Sequence, residues 1–148
     1  MAMNSKRAKI IVDICMVIFM VLSFIRWEES NFAFHAIVGI GCMLFFATHV
    51  FIHRKWIKAV TKSCFAGKIK KALRGKYIIN MLLLLVWGVC ITAGFVTIPP
   101  FLSDAGSGFW SALHGVTARV GLGLVVIHIV QHIPVIKSYF GVKKKAQP

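Results

Sequence analysis

Six histidines carry most of the chemistry this sequence can offer: His35, His49, His53, His114, His128 and His132. They fall into two triplets with the same spacing, 14 residues and then 4, and the triplets are offset by 79. On a helix, at ~100° per residue, a step of 14 returns to within about 40° of its start and a step of 4 lands about 40° away. All three imidazoles of a triplet therefore share one stripe. With ~1.5 Å of rise per residue, the first and second are about 21 Å apart along the axis, most of the thickness of a bilayer's hydrocarbon core. Between His35 and His53 the only other hydrogen-bonding side chain is Thr48. Ionisable groups in so apolar a setting are costly and by default functional.

The triplets belong to a longer internal repeat. HAIVGIGCMLFFATHVFIHRKWIK from His35 matches HGVTARVGLGLVVIHIVQHIPVIK from His114, and both blocks end in Ile-Lys. Small residues recur on the histidine stripe: Gly39 and Cys42 in the first block, Ala118 and Gly121 in the second. They permit close approach by another helix or by a bulky flat ligand. The regularity points to duplication of a two-helix unit. In such a repeat the second and fourth helices run parallel, with His35 and His114 near one surface and the other four imidazoles near the opposite one.

Neutral imidazoles facing each other from parallel helices are suited to bind iron axially from both faces of a porphyrin, while apolar surroundings hold the macrocycle and exclude water. Two stacked b-type haems are the expectation. His35 with His114 is the pair for the outer haem. For the inner haem two level pairs compete, His49 with His128 and His53 with His132, only ~6 Å apart along the axis, too close for two haems. His49 and His128 are favoured because they lie deeper, and tilt offers His53 with His128 as a variant. The spare imidazoles are candidates for propionates, for a quinone or for proton relay. Arg119 is a candidate partner for a haem propionate, with Asp104 or the membrane surface as alternatives. Asp13 is a candidate acceptor of a quinone-linked proton, against the plainer expectation that it faces interfacial water or a neighbouring Lys.

The elements that position these residues follow from composition. Of 148 residues 58% are hydrophobic, four are acidic, and the formal net charge is +14. A helix across the hydrocarbon core takes roughly 20 mainly apolar residues, and four stretches qualify, giving helices at about 10–26, 32–53, 77–98 and 109–136. The expected fold is all-α: a polytopic membrane four-helix bundle with a two-helix internal repeat, forming a single domain over 1–148. The first stretch follows a basic start but has no clear small-x-small cleavage site, so it is expected to be retained.

Lys and Arg concentrate on one side. Lys6, Arg7 and Lys9 precede the first helix, nine basic residues lie from Arg54 to Lys76, and Lys143, Lys144 and Lys145 close the chain. The other two connections hold Arg26 with Glu28 and Glu29, and Asp104. Both termini are expected in the cytoplasm, in a multi-pass protein of the cytoplasmic (inner) membrane. Basic residues bordering membrane helices set topology and touch anionic lipid, so the charge argues for lipid contact and not for nucleic acid. Cys15, Cys42, Cys64 and Cys90 form no CxxC and no CxxCH, which removes zinc ribbons and covalent c-type haem. No paired carboxylate, nucleophile motif or phosphate loop is present.

A pair of H-x13-H motifs on parallel helices resembles the ligand pattern of the dihaem cytochrome b of quinol-oxidising complexes. The H-x13-H-x3-H-x2-W run at His35, His49, His53 and Trp56, with four helices over nearly the whole chain, is still more similar to the flavinylation-associated membrane cytochromes. The second block departs from the run, with Val135 in place of the aromatic. The resemblance implies electron transport across the cytoplasmic membrane between a quinone and an extracytoplasmic redox partner bearing flavin or haem. Self-association is left open by the sequence. The competing expectation is a histidine-based zinc-binding or transport protein, because His49 with His53 and His128 with His132 each have the i, i+4 spacing that chelates zinc from one helix face. It leaves His35 and His114 unexplained. A haem-free assembly or anchor subunit is a third class.

Overall fold

The computed structural model describes residues 5–25, 32–98 and 104–139. Long apolar runs become helix throughout, even across Pro134 near the end of the last: α1 (Ser5–Phe24), α2 (Phe32–Phe65), α3 (Lys71–Val96) and α4 (Asp104–Tyr139). There is no strand among the described residues. The all-α, four-helix expectation holds. Three of the helices are long and apolar enough to cross a membrane, over 33–65, 71–96 and 108–138. The sequence pointed to four such spans. α1 is the exception, because its 20 residues include Arg7, Lys9 and Asp13, leaving a shorter uncharged run than a full crossing takes.

Against the expected bounds of 10–26, 32–53, 77–98 and 109–136, α1 and α3 end two residues early, at Phe24 and Val96, but α1, α3 and α4 start earlier and α2 and α4 end later. Hydropathy marks where apolar character stops, whereas the helix stops where the backbone is capped. Lys and Arg are good helix formers, so the basic residues Arg54 to Lys62 continue α2 to Phe65, and Lys71 to Lys76 already belong to α3. What looked like a long basic connection is the short turn 66–70. It opens on Gly67, whose φ of 67° is the left-handed conformation that a C-terminal cap needs. Gly67 N–H donates to the Cys64 carbonyl at 3.0 Å and Lys68 N–H to that of Ser63 at 2.9 Å, which is the Schellman arrangement. At 34 and 36 residues, α2 and α4 are about 50 Å long, well over the ~30 Å of hydrocarbon, so each carries its charged end beyond the apolar zone. Arg26, Glu28, Glu29 and Lys143 to Lys145, on which part of the sidedness expectation rests, lie outside the described residues, as do the side chains of Lys6 and Asp104.

The chain divides into two compact units, Met1–Ala59 and Val60–Pro148. In the first, α1 packs antiparallel against α2: Phe19 meets Phe45 with ring centroids 5.3 Å apart, and six residues earlier on α1 Asp13 meets His49, four residues later on α2. In the second, α3 packs antiparallel against α4, with Cys90 beside His114 and Asn80 beside His128. On α2 the contacts to α1 fall at Gly41, Phe45 and His49, one turn apart. On α3 they fall at Asn80, Trp87, Cys90 and Gly94, against His114, Gly121 and His128 of α4. Val38, Cys42, Leu83 and Cys90 are buried, while Ile37, Leu44, Leu82 and Leu85 are exposed, as expected of helices solvated by lipid.

Candidate functional site

Within the first hairpin the α1–α2 seam ends in a polar cluster. Nδ1 of His49 lies 2.7 Å from Oδ1 of Asp13, an imidazole–carboxylate pair in which both residues are part-buried. With the carboxylate accepting, the ring carries its proton on Nδ1 and its ligating lone pair on Nε2. One turn further along α2 the ring of His53 stacks at a tilt on that of His49, centroids 4.7 Å apart. Asp13, His49 and His53 offer one ligand atom each within 4.8 Å of one another, the spacing of a metal-binding cluster.

The second hairpin repeats the device. Nδ1–H of His128 donates to the side-chain carbonyl of Asn80 on α3 at 2.8 Å, and the ring of His132 stacks on that of His128 at 4.5 Å. Higher on the same seam Nδ1–H of His114 donates to the backbone carbonyl of Cys90 at 2.9 Å. A backbone carbonyl only accepts, so it fixes the tautomer outright. The Cys90 thiol lies 3.6 Å from the same Nδ1 and donates to the His114 carbonyl at 3.8 Å. Room for this ring comes from Gly94, where a Cβ would stand 2.9 Å from Cε1 and Nδ1 of His114. Small residues let membrane helices approach closely, and polar side chains such as His then hydrogen-bond across the seam.

The two hairpins are equivalent in a way that a single offset hides. His49 and His128 differ by 128 − 49 = 79, but their partners Asp13 and Asn80 differ by 80 − 13 = 67. Adding 67 to α1 (5–24) gives 72–91, inside α3. Adding 79 to the start of α2 at 32 gives 111, inside α4. The second hairpin is therefore longer at its connecting end by Thr92–Val96 on α3 and Asp104–Trp110 on α4, five and seven residues that account for the difference of 12. Residues 25–31 and 97–103 join the helices with seven residues in each half.

The sequence-derived candidates distribute as follows. His35, His49, His53, His114, His128 and His132 are all half-buried on α2 and α4, and the structure brings them together as His49 with His53 and His128 with His132. Gly39 has open space where a side chain would stand. Gly121 instead accepts α3: a Cβ there would meet Trp87 at 3.3 Å and Val86 at 3.6 Å, so its small size serves helix approach. Arg119 is exposed on α4, where the sequence left it between a propionate, Asp104 and the surface. Asp13 faces neither water alone nor a Lys but His49. Asn80, Cys90 and Gly94 were missed altogether. Asn80 is the one amide in the apolar run from Tyr77 to Ile98, and that isolation was the available signal. Comparison with protein-family models, curated proteins and solved structures finds no match.

Proposed function

We propose that this chain is a membrane electron carrier for two b-type haems, one of which His35 and His114 would hold and the other His49 and His128. The single observation that supports it best is the paired triplet of intramembrane imidazoles at spacings of 14 and 4, each deeper histidine held through Nδ1 by the preceding helix. Metal-ligating histidines characteristically give their second ring nitrogen to a carboxylate, amide or carbonyl. His49, His128 and His114 all do so. The donor set thus fits an iron bound through Nε2. His49 with His128 is the inner pair whose Nδ1 atoms the preceding helices are seen to hold.

Haem would supply one-electron chemistry; the chain's own groups set its ligation and keep the surroundings apolar. Electrons would pass between a quinone and an extracytoplasmic flavin- or haem-bearing partner, in a protein of the cytoplasmic membrane with both termini inside and anionic lipid along its basic ends. This agrees with the resemblance to the flavinylation-associated membrane cytochromes. A reduced-minus-oxidised absorbance spectrum with pyridine haemochrome quantification on the purified full chain, expressed with ample haem supply, tests it. Two b-type haems per chain support the proposal, and their absence overturns it.

A specific observation favours one other reading, a divalent-cation site at Asp13, His49 and His53. It makes three ligands of one hairpin, whereas the equivalent position in the other carries Asn80, a much poorer donor to zinc. Elemental analysis separates the two, with zinc in place of iron reversing the order.

A further inference from the structure

The two deeper histidines are held alike in geometry and unlike in charge. Both use Nδ1, both reach the preceding helix, and the distances are 2.7 and 2.8 Å. On one side the acceptor is the carboxylate of Asp13 and on the other the neutral amide of Asn80. Asp13 is part-buried, sits one turn from Lys9 on α1, and keeps 39% of its side-chain surface exposed. A hydrogen bond to an anion is shorter and about twice as strong as one between neutral groups. It also pushes electron density into the ring and raises its basicity as a ligand.

We infer that Asp13 and Asn80 are an unequal pair of positioning residues, which fix His49 and His128 as Nδ1–H tautomers and make His49 the stronger electron donor through Nε2. Each would act on a bound iron only through the imidazole it holds. For a metal shared by the two rings, the carboxylate side favours the more positive, oxidised ion. The charge at position 13 therefore lowers the reduction potential of that site, while the amide at position 80 leaves it unaltered. This inference rests on the haem proposal for its effect on potential, but not for the tautomers, which are a property of the hairpins themselves.

The test uses the full chain in nanodiscs. Redox titration followed at the haem absorbance bands compares the parent with Asp13→Asn, which keeps an acceptor of the same shape, and with Asn80→Asp. Asp13→Asn is expected to shift one of the two midpoint potentials upward and Asn80→Asp to shift the same one downward, with two haems per chain retained and the other midpoint unmoved. Both haems present with neither midpoint moved by either substitution overturns the inference and leaves the haem proposal standing. A parent chain without haem overturns the haem proposal. In that case ¹⁵N spectra of histidine-labelled protein decide the inference: protonated Nδ1 with bare Nε2 at His49 and His128 supports it, and the opposite tautomer at either refutes it. Asp13→Ala guards against a merely structural role, since it is expected to lose the Nδ1 signature that Asp13→Asn retains.

Discussion

Gly94→Ala places one methyl group against the ring of His114. Its Cβ would lie 2.9 Å from both Cε1 and Nδ1, roughly 0.6–1 Å inside the usual 3.5–4.0 Å separation of non-bonded carbons. The ring cannot simply swing aside, because its Nδ1–H is tied to the Cys90 carbonyl at 2.9 Å. Either α3 and α4 move apart or that hydrogen bond breaks. Overpacking of this kind costs about 1–3 kcal/mol, and a lost hydrogen bond roughly 0.5–1.5 kcal/mol. The helix propensity of Ala over Gly returns at most ~1 kcal/mol. Relative to an unhindered Gly→Ala change on the same helix, which gains the same propensity, a loss of about 1–3 kcal/mol is expected. The control lies on the same helix: Gly88 has nothing within 4 Å of its Cβ position, so Gly88→Ala should leave stability unchanged or slightly raised. The assay is reversible SDS unfolding of the purified chain in mixed micelles, followed by helical circular dichroism. If Gly94→Ala unfolds with Gly88→Ala, the close approach of α3 to His114 is refuted.

Three further outcomes can be checked directly. On the haem proposal, His49→Ala reduces haem from two per chain to one and His53→Ala leaves two, read by pyridine haemochrome against protein mass. Gly41→Ala should cost about 1–3 kcal/mol in the same unfolding assay, because its Cβ would overlap the Phe19 ring that already packs on Phe45. Among the thiols, Cys90 at 2% exposed and Cys42 at 7% should resist maleimide in the folded chain, whereas Cys64 near the end of α2 should react at least tenfold faster, as followed by mass spectrometry.

Much of this architecture could be read from residue order, for identifiable reasons. Apolar runs of spanning length leave little choice but helix, since backbone polar groups in lipid must be satisfied within the segment. The histidines announced themselves because ionisable groups are scarce in such runs. Helix ends were harder to place. Arg54 to Lys62 end the hydrophobic stretch without ending the helix, and only the Gly67 cap does that. The partners of the imidazoles were harder still. One offset of 79 carries His49 to His128 but takes Asp13 to Thr92, so the equivalence of Asp13 and Asn80 stays hidden until the longer tips of α3 and α4 are seen. Gly94 looked like any other small residue in a membrane helix. Its role depends on where the ring of a residue 20 positions later comes to rest, which no local pattern encodes.

The uneven arms of the two hairpins carry a lesson about how such a chain can grow. Extra residues toward the bend, such as Thr92–Val96 and Asp104–Trp110, lengthen both helices of a hairpin and rotate nothing beneath them. The same dozen inserted near the base would swing every imidazole to a new azimuth. The bend is thus where a tag, an epitope or a foreign loop can be spliced into this protein with least disturbance, and the stem below Gly94 is where even one added residue would scramble it.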